Sequence, residues 1–130
     1  MTEKLIEFET AKLAKEKGFG LKLDSNYIYN KMGKLRFTIL KLHRNDTDYK
    51  YLAPTQSLLQ RWLREEYNIW IDISINTYPK VNNIAVTLQY FHKDKYISNE
   101  YLPNQLEGLT HSYTYEEALE KGLVEALKLI

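Results

Sequence analysis

The chain has 130 residues, 44% of them hydrophobic, and a formal net charge of +1. That length suits one domain, a chain of this size typically buries about two-thirds of its unfolded surface, and the charge by itself points to no polyanion partner. Zero cysteines exclude disulfides, thiolate metal sites and a cysteine nucleophile. No apolar run approaches the ~18–20 residues that span a bilayer. Met1 to Glu7 has no apolar h-region or small-residue cleavage site, so the expectation is a soluble, cytoplasmic protein. Charge is mildly uneven, with eleven Lys/Arg against seven Asp/Glu over 1–50 and seven against ten over 51–130, a common asymmetry in soluble proteins.

Residues 7–17 read as a first helix, with Phe8, Ala11 and Ala14 at helical spacing and Leu13 beside them. Lys15 and Lys17 suit the negative end of its dipole, and Gly18-Phe19 reads as a Schellman stop. Residues 25–53 read as strands and turns. Asn26 to Tyr29 is a short strand, Lys31-Met32-Gly33-Lys34 a turn with Gly33 at positive φ, and Leu35 to Leu42 a longer strand. In that strand Leu35, Phe37 and Ile39 share one face, and Arg36 and Thr38 the other. His43 to Asp48 is a polar loop, and Tyr49 to Leu52 a further short strand.

Thr55 is the expected N-cap of a second helix, with Pro54 blocking an earlier start. Leu58, Leu59, Trp62, Leu63 and Tyr67 form its stripe, Gln60, Arg61, Arg64 and Glu65 face outward, and Asn68 ends it. Ile69 to Asn76 and Ile84 to Phe91 both alternate, joined by a polar link containing Pro79 and Asn82-Asn83, which predicts an antiparallel hairpin. One face carries Ile69, Ile71, Ile73, Ile75, Ile84, Val86, Leu88 and Tyr90; the other carries Trp70, Asp72, Ser74, Asn76, Thr87, Gln89 and Phe91. Residues 92–112 read as irregular, with Tyr96-Ile97 and Tyr101-Leu102 as brief additions to a sheet edge.

Thr114-Tyr115-Glu116-Glu117 is a capping box. It opens a last helix whose stripe is Ala118, Leu119, Leu123, Ala126, Leu127 and Ile130, expected to run to residue 130. Gly122 on that stripe costs ~1 kcal/mol against Ala and implies close approach of another backbone. The expected architecture is α+β: a single domain over 1–130, with an antiparallel β-sheet and about three α-helices packed mainly on one face.

Tyrosine is the unusual residue: eleven, against four Phe and two Trp. Its apolar body and polar tip suit half-buried sheets and interfaces alike. Catalytic or metal-binding spacing is lacking. His43, His92 and His111 are far apart and form no HxH or HExxH, and no GxSxG, Walker A or GxGxxG run occurs. Glu65-Glu66 and Glu116-Glu117 are explained by a helix surface and a cap, and Asp46-Thr47-Asp48 offers only two acidic ligands. The expectation is a protein that is not an enzyme and has no cofactor, metal, membrane or small-molecule ligand.

Two blocks carry a resemblance: Phe8 to Phe19 with Ala53 to Glu65, and Tyr115 to Leu123 with Glu125-Ala126-Leu127. They cover roughly a third of the chain and coincide with the three helices. In them the chain resembles a group of small uncharacterised proteins encoded in phages and prophages of Bacteroides and related gut bacteria. The resemblance implies a viral or mobile-element origin and expression in the host-cell cytoplasm. It carries over no activity, cofactor or functional residue.

Two functional readings follow. The first is a non-catalytic protein-binding or assembly module whose surface is the polar-aromatic sheet face, with Trp70, Asp72, Thr87, Gln89 and Phe91, and whose partner is itself, a host protein or a virion protein. The alternative is a nucleic-acid-binding protein. It would use Lys34, Arg36 and Lys41 on a basic hairpin interleaved with Tyr27, Tyr29, Tyr49 and Tyr51, and Arg61 and Arg64 on the 55–67 helix, with Gln56 and Gln60 beside them.

Overall fold

A computed structural model of the protein describes residues 3–19, 27–37, 49–76, 83–101 and 114–130. They form α1 (Phe8–Glu16), β1 (Tyr27–Asn30), β2 (Leu35–Phe37), β3 (Tyr49–Leu52), α2 (Gln56–Tyr67), β4 (Trp70–Asn76), β5 (Asn83–His92), β6 (Lys95–Tyr101) and α3 (Tyr115–Leu127). The class is α+β. The strands make two three-stranded antiparallel sheets, ordered β2-β1-β3 and β4-β5-β6. Contacts divide the chain into two compact units, Met1–Leu59 and Gln60–Ile130.

In the first unit α1 ends as its Gly-Phe pair predicts. Gly18 takes φ +96°, its N–H donates to the Lys15 carbonyl at 3.0 Å, and the Phe19 N–H donates to Ala14 at 2.9 Å. The β1–β2 turn is held by Asn30, whose Oδ1 accepts from the N–H groups of Met32 and Lys34, while Gly33 sits at φ +87°. Of the strand expected over 35–42, residues 35–37 are strand and exposed; 38–42, with Ile39 and Lys41, lie outside the described residues. The segment before α1 pairs with the start of α2. Ile6 donates to the Pro54 carbonyl at 3.0 Å, and the Gln56 N–H donates to the Lys4 carbonyl at 2.9 Å. Thr55 caps α2 as expected, its Oγ1 accepting from the Leu58 N–H at 3.2 Å.

Leu59 and Leu63 are the fully buried members of the α2 stripe; Leu58 and Trp62 are half-buried and Tyr67 is exposed. Three expectations for this helix are corrected. Tyr67 is no core residue: it sits in the last turn, where its ring meets Trp62 edge-on at 5.2 Å. Gln60 does not simply face outward, because its Nε2 donates to the Ile71 carbonyl. Gln56 is buried and offers nothing to a groove. Asn68 does end the helix: at φ +53° its N–H donates to the Arg64 carbonyl at 3.1 Å.

In the second unit β4 and β5 pair in the expected hairpin register, Trp70 opposite Gln89 and Asp72 opposite Thr87. The irregular reading of 92–112 is overturned for 92–101. Lys93 and Asp94 take φ +50° and +62°, the signature of a type I′ turn, and β6 runs back along β5 over seven registered pairs. The reading missed it because two-residue I′ turns favour Asn-Gly or Asp-Gly, and Lys-Asp gives no such signal.

α3 opens on the complete capping box. It packs on β4 and β5, burying Ala118, Leu119, Leu123, Ala126 and Leu127. It stops at Leu127 instead of 130, and Ile130 is half-buried in the turn beyond. Gly122 is indeed a close approach, but to side chains and not a backbone. A Cβ there would stand 2.9 Å from Val86 Cγ1 and 3.0 Å from Ile71 Cγ2. No helix among the described residues is long and apolar enough to cross a membrane.

Candidate functional site

Strand alternation sorts the second sheet into two faces. Ile71, Val86 and Leu88 are buried on the face that α3 covers. On the other face the registered rows run Trp70–Gln89–Ser98 and Asp72–Thr87–Glu100, with Phe91 opposite Tyr96 at one end and Ser74 opposite Ala85 at the other. All five residues expected on a protein-binding surface therefore share one side of one sheet.

Its aromatic residues are open. Trp70 is 52%, Phe91 61% and Tyr96 54% exposed. Phe91 and Tyr96 meet edge to face at 5.7 Å, a geometry aromatic quadrupoles favour. Trp70 is oriented by its own chain. Its Nε1–H donates to Asn68 Oδ1 at 2.9 Å, and the Arg64 guanidinium lies 5.3 Å from the ring centroid. The positive φ of Asn68 thus serves twice, ending α2 and steering the indole. Tyr96, Ser98 and Glu100 belong to this face and were missed with β6.

The residues of the nucleic-acid alternative are divided. Lys34 and Arg36 are exposed in the first unit, Lys41 lies outside the described residues, and Arg61 and Arg64 are in the second unit. Arg61 Nε donates to Glu65 Oε1 at 2.8 Å, and that bond raises its pKa; Arg64 is engaged by Trp70. Of the interleaved tyrosines, Tyr29 and Tyr51 meet Phe8 at 5.5 and 5.7 Å. The Tyr29 hydroxyl donates to the Ile6 carbonyl at 2.8 Å, and Lys15 Nζ lies 5.2 Å from the Tyr51 ring. These rings support α1 and do not form an open stacking platform. Tyr27 is the more exposed member, 5.1 Å from Phe37.

His92 is exposed at the end of β5, while His43, Asp46, Asp48 and His111 lie outside the described residues. Among the described residues no three His, Asp or Glu side chains converge as metal ligands would. No family model matches the chain, and neither a curated protein nor a solved structure matches it.

Proposed function

We propose that the protein is a non-catalytic binding or assembly module that engages another protein through the Trp70–Phe91–Tyr96 face of its second sheet, in the setting of a phage or prophage and the host-cell cytoplasm. The observation that carries this is the contrast between the two faces of one sheet. One is closed by α3 over Ile71, Val86 and Leu88; the other leaves three large aromatic rings at least half exposed beside only polar and small neighbours. Large aromatics with a polar rim are the residues that dominate protein interfaces. The nucleic-acid reading finds less support, because Tyr29 and Tyr51 are occupied by Phe8, and Arg61 and Arg64 by Glu65 and Trp70.

The test compares immobilised wild type with the double variant Trp70→Ser/Phe91→Ser, in extract of cells that produce the protein. The reading expects proteins retained by the first and not by the second. Identical retained sets would overturn it. Random oligonucleotide added at low salt gives the rival its chance, since phosphate contacts make affinity fall steeply with salt.

A further inference from the structure

We infer that β6 is a pairing edge, and that its occupant is β6 of a second copy of this chain, joined across a two-fold axis at Ser98. In a type I′ turn the carbonyl of the first residue accepts from the N–H of the fourth, so His92 and Lys95 form a hydrogen-bonded pair. Such pairs alternate with non-bonded ones along an antiparallel ladder. Tyr96, Ser98 and Glu100, opposite Phe91, Gln89 and Thr87, are then the non-bonded positions, and their N–H and C=O groups point away from β5. The closer approach of side chains at non-bonded positions fits the 5.7 Å contact of Phe91 with Tyr96.

Among the described residues no strand pairs with β6 on that side, and Lys95, Tyr96, Ser98 and Glu100 are all exposed. Proteins that leave an edge open normally protect it with charged side chains, a proline, a bulge or a very short strand. β6 has seven residues, no proline and an uninterrupted register, and of its two charged residues, Lys95 and Glu100, only Glu100 stands at an outward-pointing position. The sheet's other edge strand is engaged differently: the Ile71 carbonyl of β4 accepts from Gln60 of α2.

The strand is self-complementary. Ser98 is its midpoint, so a two-fold axis there overlaps all seven residues. It sets Tyr96 against Glu100 of the second copy, Ile97 against Asn99, Lys95 against Tyr101, and Ser98 against itself. No like charges meet, and the Tyr96 hydroxyl faces a carboxylate. The three outward-pointing residues supply donors and acceptors at matching positions. An isologous contact of this kind closes as a dimer instead of growing. It joins two aromatic faces side by side and shares Tyr96 with them, but the pairing is made by the backbone edge of β6 and does not use the side chains of Trp70 and Phe91.

Light scattering on wild type and Ser98→Lys, over a wide concentration range, tests the pairing. The wild type should rise toward twice the 15.5 kDa of one chain, and Ser98→Lys, which opposes two ammonium groups on the axis, should stay at one. A covalent probe removes dependence on that variant's fold. The chain has no cysteine, and a hydrogen-bonded pair holds its Cα atoms about 5.5 Å apart, within disulfide reach. Ser98→Cys should cross-link on mild oxidation, and Ser74→Cys, exposed on β4, should not. A wild type that stays at one chain, a dimer that survives Ser98→Lys, or equal cross-linking at 98 and 74 would each overturn the inference. None of these outcomes bears on the retention experiment, and Trp70→Ser/Phe91→Ser should leave the dimer mass unchanged.

Discussion

Gly122→Ala isolates how tightly α3 lies on its sheet. The added methyl would stand 2.9 Å from Val86 Cγ1 and 3.0 Å from Ile71 Cγ2, where carbon contacts prefer about 3.5–4.0 Å, so each contact must open by roughly 0.5–1 Å. Neither neighbour yields easily. Both methyls sit on β-branched side chains with restricted χ1, both residues are buried, and they lie on two strands paired to each other. Relief therefore requires the helix to lift. Overpacking costs about 1–3 kcal/mol, and two simultaneous clashes argue for the upper half of that range. Replacing a mid-helix glycine returns about 1 kcal/mol of helix propensity. The net loss should be about 1–2 kcal/mol, a fall in melting midpoint of roughly 4–8 °C for a chain of this size, followed by far-ultraviolet circular dichroism. A variant as stable as wild type, or more so, would refute the packing argument. In a Val86→Ala background only the Ile71 clash remains, so the overpacking cost is about halved and the same substitution should cost no more than about 0.5 kcal/mol; the difference between the two backgrounds measures the coupling between the two residues.

Thr114→Ala removes the side chain that accepts from the Glu117 N–H at 3.2 Å and should cost about 1 kcal/mol in denaturant unfolding. Leu123→Ala truncates a fully buried residue of α3 and should cost about 2–5 kcal/mol, enough to lose the folded circular dichroism signal in a marginal protein. Gly18→Ala is the converse of Gly122→Ala. No atom lies within 4 Å of the new methyl, but φ is +96°, so the expected loss of about 1–2 kcal/mol is backbone strain alone, and Gly18→Asn should recover part of it. Glu65 raises the pKa of Arg61, so whatever that exposed pair contributes is fully present below the ordinary arginine value and is lost only as pH rises through the folded one. Glu65→Gln should leave the shape of the stability profile between about pH 5 and 9 unchanged, at pH values far below arginine titration.

The helices were legible because each is announced by residues close in sequence. Thr114 and Glu117 are three apart and form the predicted box, Gly18-Phe19 makes the predicted stop, and Thr55 caps where Pro54 ends the preceding extended chain. The β4–β5 pairing followed from alternation, which places Trp70, Asp72, Thr87, Gln89 and Phe91 on one face as soon as the strand register is known. β6 was not legible. Its polarity alternates only weakly, and Lys93-Asp94 adopts positive φ without the glycine or asparagine that normally pays the steric cost.

Local pattern was enough for the α+β class, the helix starts, the C-terminal ends of α1 and α2 and the two-sided character of the second sheet, all of which rest on interactions within a few residues or on a period of two or 3.6; the end of α3, expected at 130, falls at Leu127. Tertiary structure alone decided the rest. It tied Gln60 to the Ile71 carbonyl and set Tyr29 and Tyr51 around Phe8. It aimed Arg64 at Trp70, gave the aromatic face its third strand, and pressed Gly122 onto Val86 and Ile71 instead of onto a backbone. Those outcomes depend on which distant side chains share a volume after collapse, a property of packing geometry that local pattern does not encode.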